Sequence, residues 1–445
     1  MQHGAGRAPS QVFGARGDPL RGAGRTGAAD MGGAGGMKIK CVGAGPAGLY
    51  FAISAKLRDA GHDISVIERD PPGATYGWGV VYWDDLLDVL YGNDRESAQQ
   101  LRAASTLWQE QEICLRSEDS AYLGGYGYSL GRAALLDVLA HRARSLGVDV
   151  QYRHGVEDLS ELADADLIVG ADGVHSRVRQ THEQEFGTQL DVGNNPYIWL
   201  GTDKVFDRFT FAFEETPAGW VWFHAYPSSA GISTCIVECT AQTWEALGLD
   251  SRTDEDGVRL LEKIFERPLD GRRLISQSRG RPAQWMRFTQ VRNQSWVHGN
   301  IALMGDAAHT THFTIGSGTR LAMLDAIGLA QCLYESESVS AALHEYDRLA
   351  RAALRPVQAA ARSSMAWFEH ADDYLDRDAT SFAYAMASRH GLQPPWRYQL
   401  HRATQVPAVR RTMRAIDSAR RRVLALRRGE SLLPPVRQQR VPLTS

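Results

Sequence analysis

Gly43, Gly45 and Gly48 form a G-x-G-x-x-G run with Pro46 and Ala47 inside it, and Glu68 follows twenty residues after Gly48. The spacing suits a dinucleotide. The first glycine permits a tight turn, the second lets backbone N–H groups approach a pyrophosphate, and the third allows close helix–strand packing. An acid at that distance accepts from ribose hydroxyls, and Arg69 stands beside it. Two more glycine–acid turns follow. One opens Asp172-Gly173-Val-His-Ser176-Arg-Val-Arg179; the other is Gly305-Asp306-Ala-Ala-His309, with Gly316-Ser317-Gly318-Thr319 behind it. An Asp at a strand end is often only a helix cap. Three such turns, each at the end of an expected strand, point instead to the place where ligands collect in open α/β sheets.

The elements that must position these turns are legible in outline. Met37–Val42 reads as a buried strand, Leu49–Ala60 as a helix, and Asp63–Ile67 as a second strand, one βαβ unit. Residues 98–117 and 131–146 read as helices, and Asp166–Val169 as a strand. From Tyr197 to Thr240 the period becomes that of strands, as in Phe209-Thr-Phe211-Ala-Phe213, Trp220-Val-Trp222-Phe223 and Thr234–Val237. Asn300–Met304 is a strand, and a helix covers Arg320–Leu333. The expected fold is α/β: a Rossmann-like nucleotide-binding domain drawn from 37–185 and 290–335, an inserted β-sheet substrate domain at 186–289, and a helical C-terminal region at 336–445 with a loose basic tail. Residues 1–36, rich in Gly, Ala and Arg, read as a disordered extension.

Composition narrows the function. With 445 residues, 43% hydrophobic and 23% charged, and a net charge of -3, the chain has no basic character for nucleic acid. No apolar run is long enough to span a membrane, and the N-terminus lacks the apolar core of a secretory signal. The five cysteines, sparse and odd in number, fit a cytoplasmic location better than a disulfide framework. Cys235 and Cys239 have no second ligand pair, so no metal site is expected. Residues 401–445 hold eleven arginines against Asp417 and Glu430. That segment reads as a solvated helix face or a subunit contact of a monomer or homodimer, with a phosphate-rich coenzyme A tail as the competing use.

The three turns, in their order, resemble those of the single-component flavoprotein hydroxylases, the para-hydroxybenzoate hydroxylase class. A narrower resemblance, to the salicylyl-CoA 5-hydroxylases and the flavin half of the anthraniloyl-CoA monooxygenases, rests on five segments. They are Tyr76-Gly77-Trp78-Gly79-Val80-Val81, Tyr197-Ile-Trp199-Leu-Gly201-Thr202, His224-Ala-Tyr226, Val237-Glu238-Cys239, and Gly305 to Thr319. Phe313 and Arg320 stand where the broad class usually has Pro and Asn, a departure this branch shares. The violacein-pathway tryptophan hydroxylase is similar over much of the same pattern.

The resemblance implies FAD as cofactor, NADH or NADPH as electron donor and O2 as co-substrate, with ring hydroxylation through an electrophilic flavin C4a-hydroperoxide. It implies that Asp306 meets the ribityl-pyrophosphate region and that Gly316 to Gly318 offer backbone N–H groups near the isoalloxazine. Arg132 would touch the FAD phosphates or ribose, and Asp172-Gly173 both FAD and the nicotinamide donor. The implied substrate is an aryl-CoA thioester such as salicylyl-CoA, converted by 5-hydroxylation to gentisyl-CoA. A free aromatic acid, tryptophan or another pathway aromatic is the alternative, and a non-catalytic flavin-binding protein the alternative from another class. A flavin halogenase is disfavoured because His224-Ala225 stands where its W-x-W-x-I-P element needs Ile-Pro.

A base near the ring would raise its nucleophilicity, and His312, His224 and Tyr226 are the candidates, with His309 behind them. His312 could equally shape its own loop, and His309 cap the next helix. Trp78, Trp83 and Trp199 are divided between walling the site and core packing. Phe209, Phe211, Phe213, Trp220 and Trp222 read as core.

Overall fold

β1 (Lys38–Val42), α1 (Pro46–Arg58) and β2 (Asp63–Glu68) form the expected βαβ unit, with β1 and β2 parallel from Lys38 opposite Asp63 to Val42 opposite Ile67. Pro46 begins α1, where its missing N–H breaks no helical bond. The structure, a computed structural model, describes residues 36–74, 77–252, 254–278, 281–391 and 393–430. The expected disordered stretch before residue 36, the tail from 431 and Tyr76 lie outside those residues.

The chain continues through β3 (Gly79–Tyr82), α2 (Asp84–Asn93), α3 (Arg95–Ala104), β4 (Thr106–Leu115), β5 (Asp119–Gly131), α4 (Arg132–Ser145), β6 (Asp149–Tyr152), β7 (Leu167–Gly170) and α5 (Arg177–Thr181). Then come β8 (Gln189–Thr202), β9 (Phe209–Thr216), β10 (Gly219–Pro227), β11 (Ser233–Cys239), β12 (Trp285–Arg292) and β13 (Ile301–Leu303). The remaining long elements are helices: α6 (Gly318–Glu335), α7 (Val339–Glu369), α8 (Ala379–Ala387), α9 (Pro395–Thr404) and α10 (Pro407–Arg428).

Two sheets organise these elements. In the first, Val297–His298, β13, β7, β1, β2 and β6 lie side by side, parallel except at the Val297–His298 edge. The C-terminal ends of β1, β7 and β13 therefore deliver the turns at Gly43, Asp172 and Gly305 to one edge. The second sheet runs Leu274–Ile275, β8, β11, β10, β9, β4, β5, β3, with β12 also paired to β8. β3, β4 and β5 thus belong with the inserted sheet, although they lie within 37–185; only residues 186–289 were expected there.

The expected helix over 98–117 is also corrected. α3 ends at Ala104, and Thr106–Leu115 is a strand that buries Trp108, Ile113 and Leu115. Its alternation is broken by a bulge between Gln109 and Gln111, where Glu110 takes φ 69. The extra residue hides the period of two from a pattern search.

α1 and α6 pack together over the first sheet, within a core that includes Phe51, Ile53, Leu303 and Leu329. The end of α7 and α8 pack on the second sheet through Trp367, Phe368 and Phe382 against Phe213 and Trp222. Among the described residues no helix is long and apolar enough to cross a membrane.

Candidate active site

One cavity of about 2610 Å³ runs along the junction of the two sheets and the C-terminal helices. Its first wall is the glycine turn. Gly43 has φ 106, and a Cβ there would meet the Ala171 carbonyl oxygen at 2.4 Å. A Cβ on Gly48 would meet the Gly43 oxygen at 2.1 Å, so α1 approaches the strand end only because that residue is glycine. Gly45 differs: a Cβ would find nothing within 4 Å, so its face is open to the cavity. No side chain caps the start of α1, which leaves N–H groups and the positive dipole end for an anion. Glu68 is fixed behind them, accepting from the N–H of Ala44 at 2.8 Å and of Asp70 at 2.9 Å. Arg69 lines the same region.

The second and third turns close around this one. Asp172 Oδ2 accepts from the N–H groups of Arg177 at 2.6 Å and Val178 at 3.2 Å, so it caps α5. Its Oδ1 is buried without a partner, and it lies on the cavity wall beside Gly173, whose φ is 84. Burial pushes its carboxyl pKa up. Asp306 is enclosed by protein on its flanks and opens onto the cavity; burial pushes its pKa up, against the pull of Arg132 and then His309. Arg132 begins α4 and is itself drawn down by burial, with Asp306 opposing. Gly305 takes φ 57, and its N–H is held by Asp325 at 3.0 Å.

Gly316 also has φ 62, and a Cβ would meet Val81 at 2.9 Å and Trp83 at 3.0 Å. The turn thereby drops Ser317, Gly318 and Thr319 onto the cavity at the start of α6, again without a side-chain cap. A Cβ on Gly318 would meet nothing within 4 Å.

Beyond these turns the cavity becomes an aromatic chamber. Phe211 is buried in the expected core with Phe213 and Trp222, Phe209 packs against that core, and both also line the chamber. Phe209 packs on Trp108 at 5.4 Å, Trp108 on Trp83 at 6.3 Å, and Tyr197 on Phe313 at 4.5 Å. Trp83 and Trp199 are wall residues; Trp78 packs over Gly201, where a Cβ would meet its ring at 2.8 Å.

The candidate bases fare differently. His224 lines the chamber between Phe209 at 5.9 Å and Phe313 at 5.6 Å, with Nδ1 unpartnered. Burial, then the charge of Arg389, pulls its pKa down to about 3, so the ring is neutral. Tyr226 also lines the chamber, but its hydroxyl donates to the Gly79 carbonyl at 2.9 Å and burial pushes its pKa up. His312 is buried behind the wall: Nδ1 meets Thr314 Oγ1 at 2.8 Å and the ring packs on Phe288 at 4.9 Å. It too is drawn down to about 3, by burial and then by His224 and Arg389. His309 pairs with Asp325 at 2.8 Å and stacks on Trp296 at 4.8 Å.

The C-terminal arginines supply the outer wall. Arg397, Arg410, Arg414 and Arg420 line the cavity, so α9 and α10 do not present a wholly solvated basic face. Arg414 Nε reaches Glu110 Oε1 at 2.9 Å, and Arg410 lies 3.7 Å from the centre of the Tyr122 ring. Gln405 pins the helices to β5, accepting from Tyr122 N–H at 2.8 Å and donating to its carbonyl at 2.9 Å.

Residues 131–363 match the family model described as an FAD binding domain. The chain is 38% identical over 365 residues to a salicyloyl-CoA 5-hydroxylase of a Streptomyces species, an alignment covering 79% of this chain and 70% of that one. The protein belongs to the FAD-dependent aromatic monooxygenases. The monooxygenase is also 35% identical over 337 residues to an aryl-carrier-protein-linked 3-hydroxy-4-methyl-anthranilyl 5-monooxygenase of Streptosporangium sibiricum, covering 76% of this chain and 90% of that one. The solved structure of 2-methyl-3-hydroxypyridine-5-carboxylic acid oxygenase shares the fold, with a TM-score of 0.61 at 22% identity over 80% of this chain and 96% of the other.

The monooxygenase's cavity fits FAD on its own geometry. Two uncapped helix starts face it, the open faces of Gly45 and Gly318 admit a ligand to the backbone, and Asp172, whose Oδ1 has no partner, stands on its wall. The residue that sequence reading missed is Arg389, in the turn after α8. It lines the chamber near His224, and no motif marks it. The expectation of no metal site considered only Cys235 and Cys239, both buried; outside the cavity the fold gathers His182, Glu185 and His298, with ligand atoms within 4.8 Å of one another.

Proposed function

We propose that the ring hydroxylated by this monooxygenase is that of a 2-hydroxyaryl thioester of the salicyloyl-CoA type, with oxygen entering para to the phenolic hydroxyl. The observation that carries the reading is the continuity of the cavity, from the Gly43 turn through the Phe209–His224 chamber to Arg410 and Arg414. Its volume of about 2610 Å³ exceeds the roughly 300–1,000 Å³ of an ordinary small-ligand site. That volume offers room for a dinucleotide, a ring and a long acyl carrier together. Two relatives named for thioester-bound substrates support the same class.

In this reading Gly43, Gly45, Pro46, Ala47, Gly48, Glu68 and Arg69 hold one end of FAD. Arg132, Asp172, Gly173, Gly305, Asp306 and Gly316 to Thr319 hold the remainder. Bound FAD, reduced by NADH or NADPH, supplies the activated oxygen from O2. The chain's own part is placement and exclusion of water: Phe209, Phe211 and Phe313 wall the ring, and neutral His224 can hydrogen-bond its substituents. Tyr226 fixes β3 through Gly79. His312 acts on the loop, holding Thr314, and not on the substrate. The arginines of α9 and α10 suit the phosphates of coenzyme A.

The test is NADH and NADPH oxidation by the purified, FAD-loaded protein with salicyloyl-CoA, anthraniloyl-CoA and the two free acids. Stimulation by a thioester, with a product heavier by one oxygen, supports the reading. Stimulation by the free acids alone overturns the thioester and leaves the hydroxylase.

A further inference from the structure

Arg389 is a half-buried cation without a counter-ion among the described residues. Its Nε donates to Ser364 Oγ at 2.8 Å, Nη1 to the Met386 carbonyl at 2.6 Å and Nη2 to the Thr314 carbonyl at 3.2 Å. All three acceptors are neutral, and among the described residues no carboxylate pairs with it. Its remaining faces are the Phe368 ring at 5.8 Å and the chamber. Three other arginines at the cavity do meet an acid: Arg414 and Arg410 meet Glu110, and Arg320 meets Asp85 at 2.8 Å.

Surrounding groups do not neutralise it either. From the Gly305–Gly318 loop come Thr314 and His312, from β10 His224, from α7 Ser364, and from its own turn His390. All three histidines are held neutral, drawn down to about 3, 3 and 4 by burial with Arg389 contributing. Burial alone draws Arg389 down to about 10, with no acid opposing. Guanidinium has five N–H donors, and three are used here, so two remain. An unneutralised buried charge is costly unless an anion completes the site.

Among the described residues no carboxylate reaches Arg389, so an anion facing it has to arrive with the ligand. A free aromatic acid would bring a carboxylate. A thioester has none, and its one ionisable group on the ring side is the phenol.

We propose that Arg389 is the anion site of the substrate chamber and receives the phenolic oxygen of the bound ring as a phenolate. This rests on the thioester reading above. The phenol O–H bond breaks, its proton leaves to solvent before hydroxylation, and the electron pair stays on the oxygen facing the guanidinium. A phenolate donates more strongly to its para carbon than a phenol does, so the same contact that orients the ring activates it. Arg389 is then a catalytic residue supplied by the C-terminal region, and its bond to the Thr314 carbonyl sets it two residues before Gly316.

The test is a ligand cycle on the FAD-loaded protein, read by flavin difference spectra rather than by turnover. Dissociation constants for salicyloyl-CoA and benzoyl-CoA are compared in wild type, Arg389→Gln and Arg389→Lys, with salicylate and benzoate as a second pair. Wild type should favour salicyloyl-CoA over benzoyl-CoA by at least tenfold, increasingly as pH rises. Arg389→Gln should erase that preference, and Arg389→Lys should restore part of it. Thermal denaturation and FAD content report whether the variants fold.

A preference for the hydroxyl that survives in Arg389→Gln overturns the proposal. So does an equal loss of salicylate and benzoate in that variant, which would make Arg389 a carboxylate site. If wild type binds neither thioester, the thioester reading fails separately. The salicylate–benzoate pair then decides: a hydroxyl preference that Arg389→Gln erases retains the phenolate contact, and none overturns it.

Discussion

Gly45 and Gly48 sit three residues apart and are glycine for different reasons. A side chain on Gly45 meets only open cavity, so Gly45→Val should fold normally and lose FAD. A side chain on Gly48 meets the Gly43 carbonyl, so Gly48→Val should lose about 2–3 kcal/mol of stability before any ligand is considered. Flavin absorbance after gel filtration, set beside urea denaturation of the apoproteins, separates the two. The histidines make a second residue-scale prediction. His224 is neutral in the fold down to about 3, whereas an unfolded histidine titrates at 6.5. Its folded-state value is depressed, so the stability it contributes is present above pH 6.5 and is lost as pH falls toward 3. Roughly 2 kcal/mol of that contribution should be gone at pH 5, from about 1.4 kcal/mol per unit. The fall in stability from pH 7 to pH 5 should therefore be shallower by about that amount in His224→Phe, as followed by urea denaturation. An unchanged slope would mean that the imidazole is not held neutral.

At the scale of elements, the C-terminal helix is fastened from both ends. Arg428 is 4% exposed and pairs with Asp84 and with Asp88 at 2.7 Å, tying α10 to α2. Arg428→Ala should cost about 2–3 kcal/mol by leaving Asp84 underpaired. It should also open α9 and α10 to limited proteolysis while FAD stays bound; protection equal to wild type would deny the helix its anchor. Elements also mark what was legible in the sequence. The strand–turn–helix unit around Gly43 was, because its chemistry lies within thirty-odd consecutive residues. β4 was not, because the bulge at Glu110 breaks its alternation. His312 reads as a site residue by its place in a glycine-rich loop, yet backbone position does not say which way a ring turns, and Thr314 holds it behind the wall. Arg389 carries no local signal at all. Its meaning comes from Ser364, Met386 and Thr314, brought together only when the C-terminal helices close over the chamber.

Over the whole molecule, the cavity joins three regions that the sequence keeps apart: the glycine turns of the first sheet, the aromatic strands of the second and the arginines of α9 and α10. If the outer arginines meet coenzyme A phosphates, Arg410→Gln combined with Arg414→Gln should raise KM for salicyloyl-CoA about tenfold, the worth of roughly 1.4 kcal/mol. KM for a short thioester without phosphates, salicyloyl-N-acetylcysteamine, should not move. Equal effects on both would place the arginines in folding rather than recognition. The central claim is that the protein inserts one atom of O2 into the ring of an aryl thioester. The direct measurement is turnover of salicyloyl-CoA with NADH or NADPH under ¹⁸O2, followed by mass analysis of the intact product and of the hydrolysed ring acid. The account predicts one ¹⁸O atom in the ring, para to the original hydroxyl, with the thioester intact. Nucleotide oxidation that yields only hydrogen peroxide, or a product whose new oxygen comes from water, would contradict it.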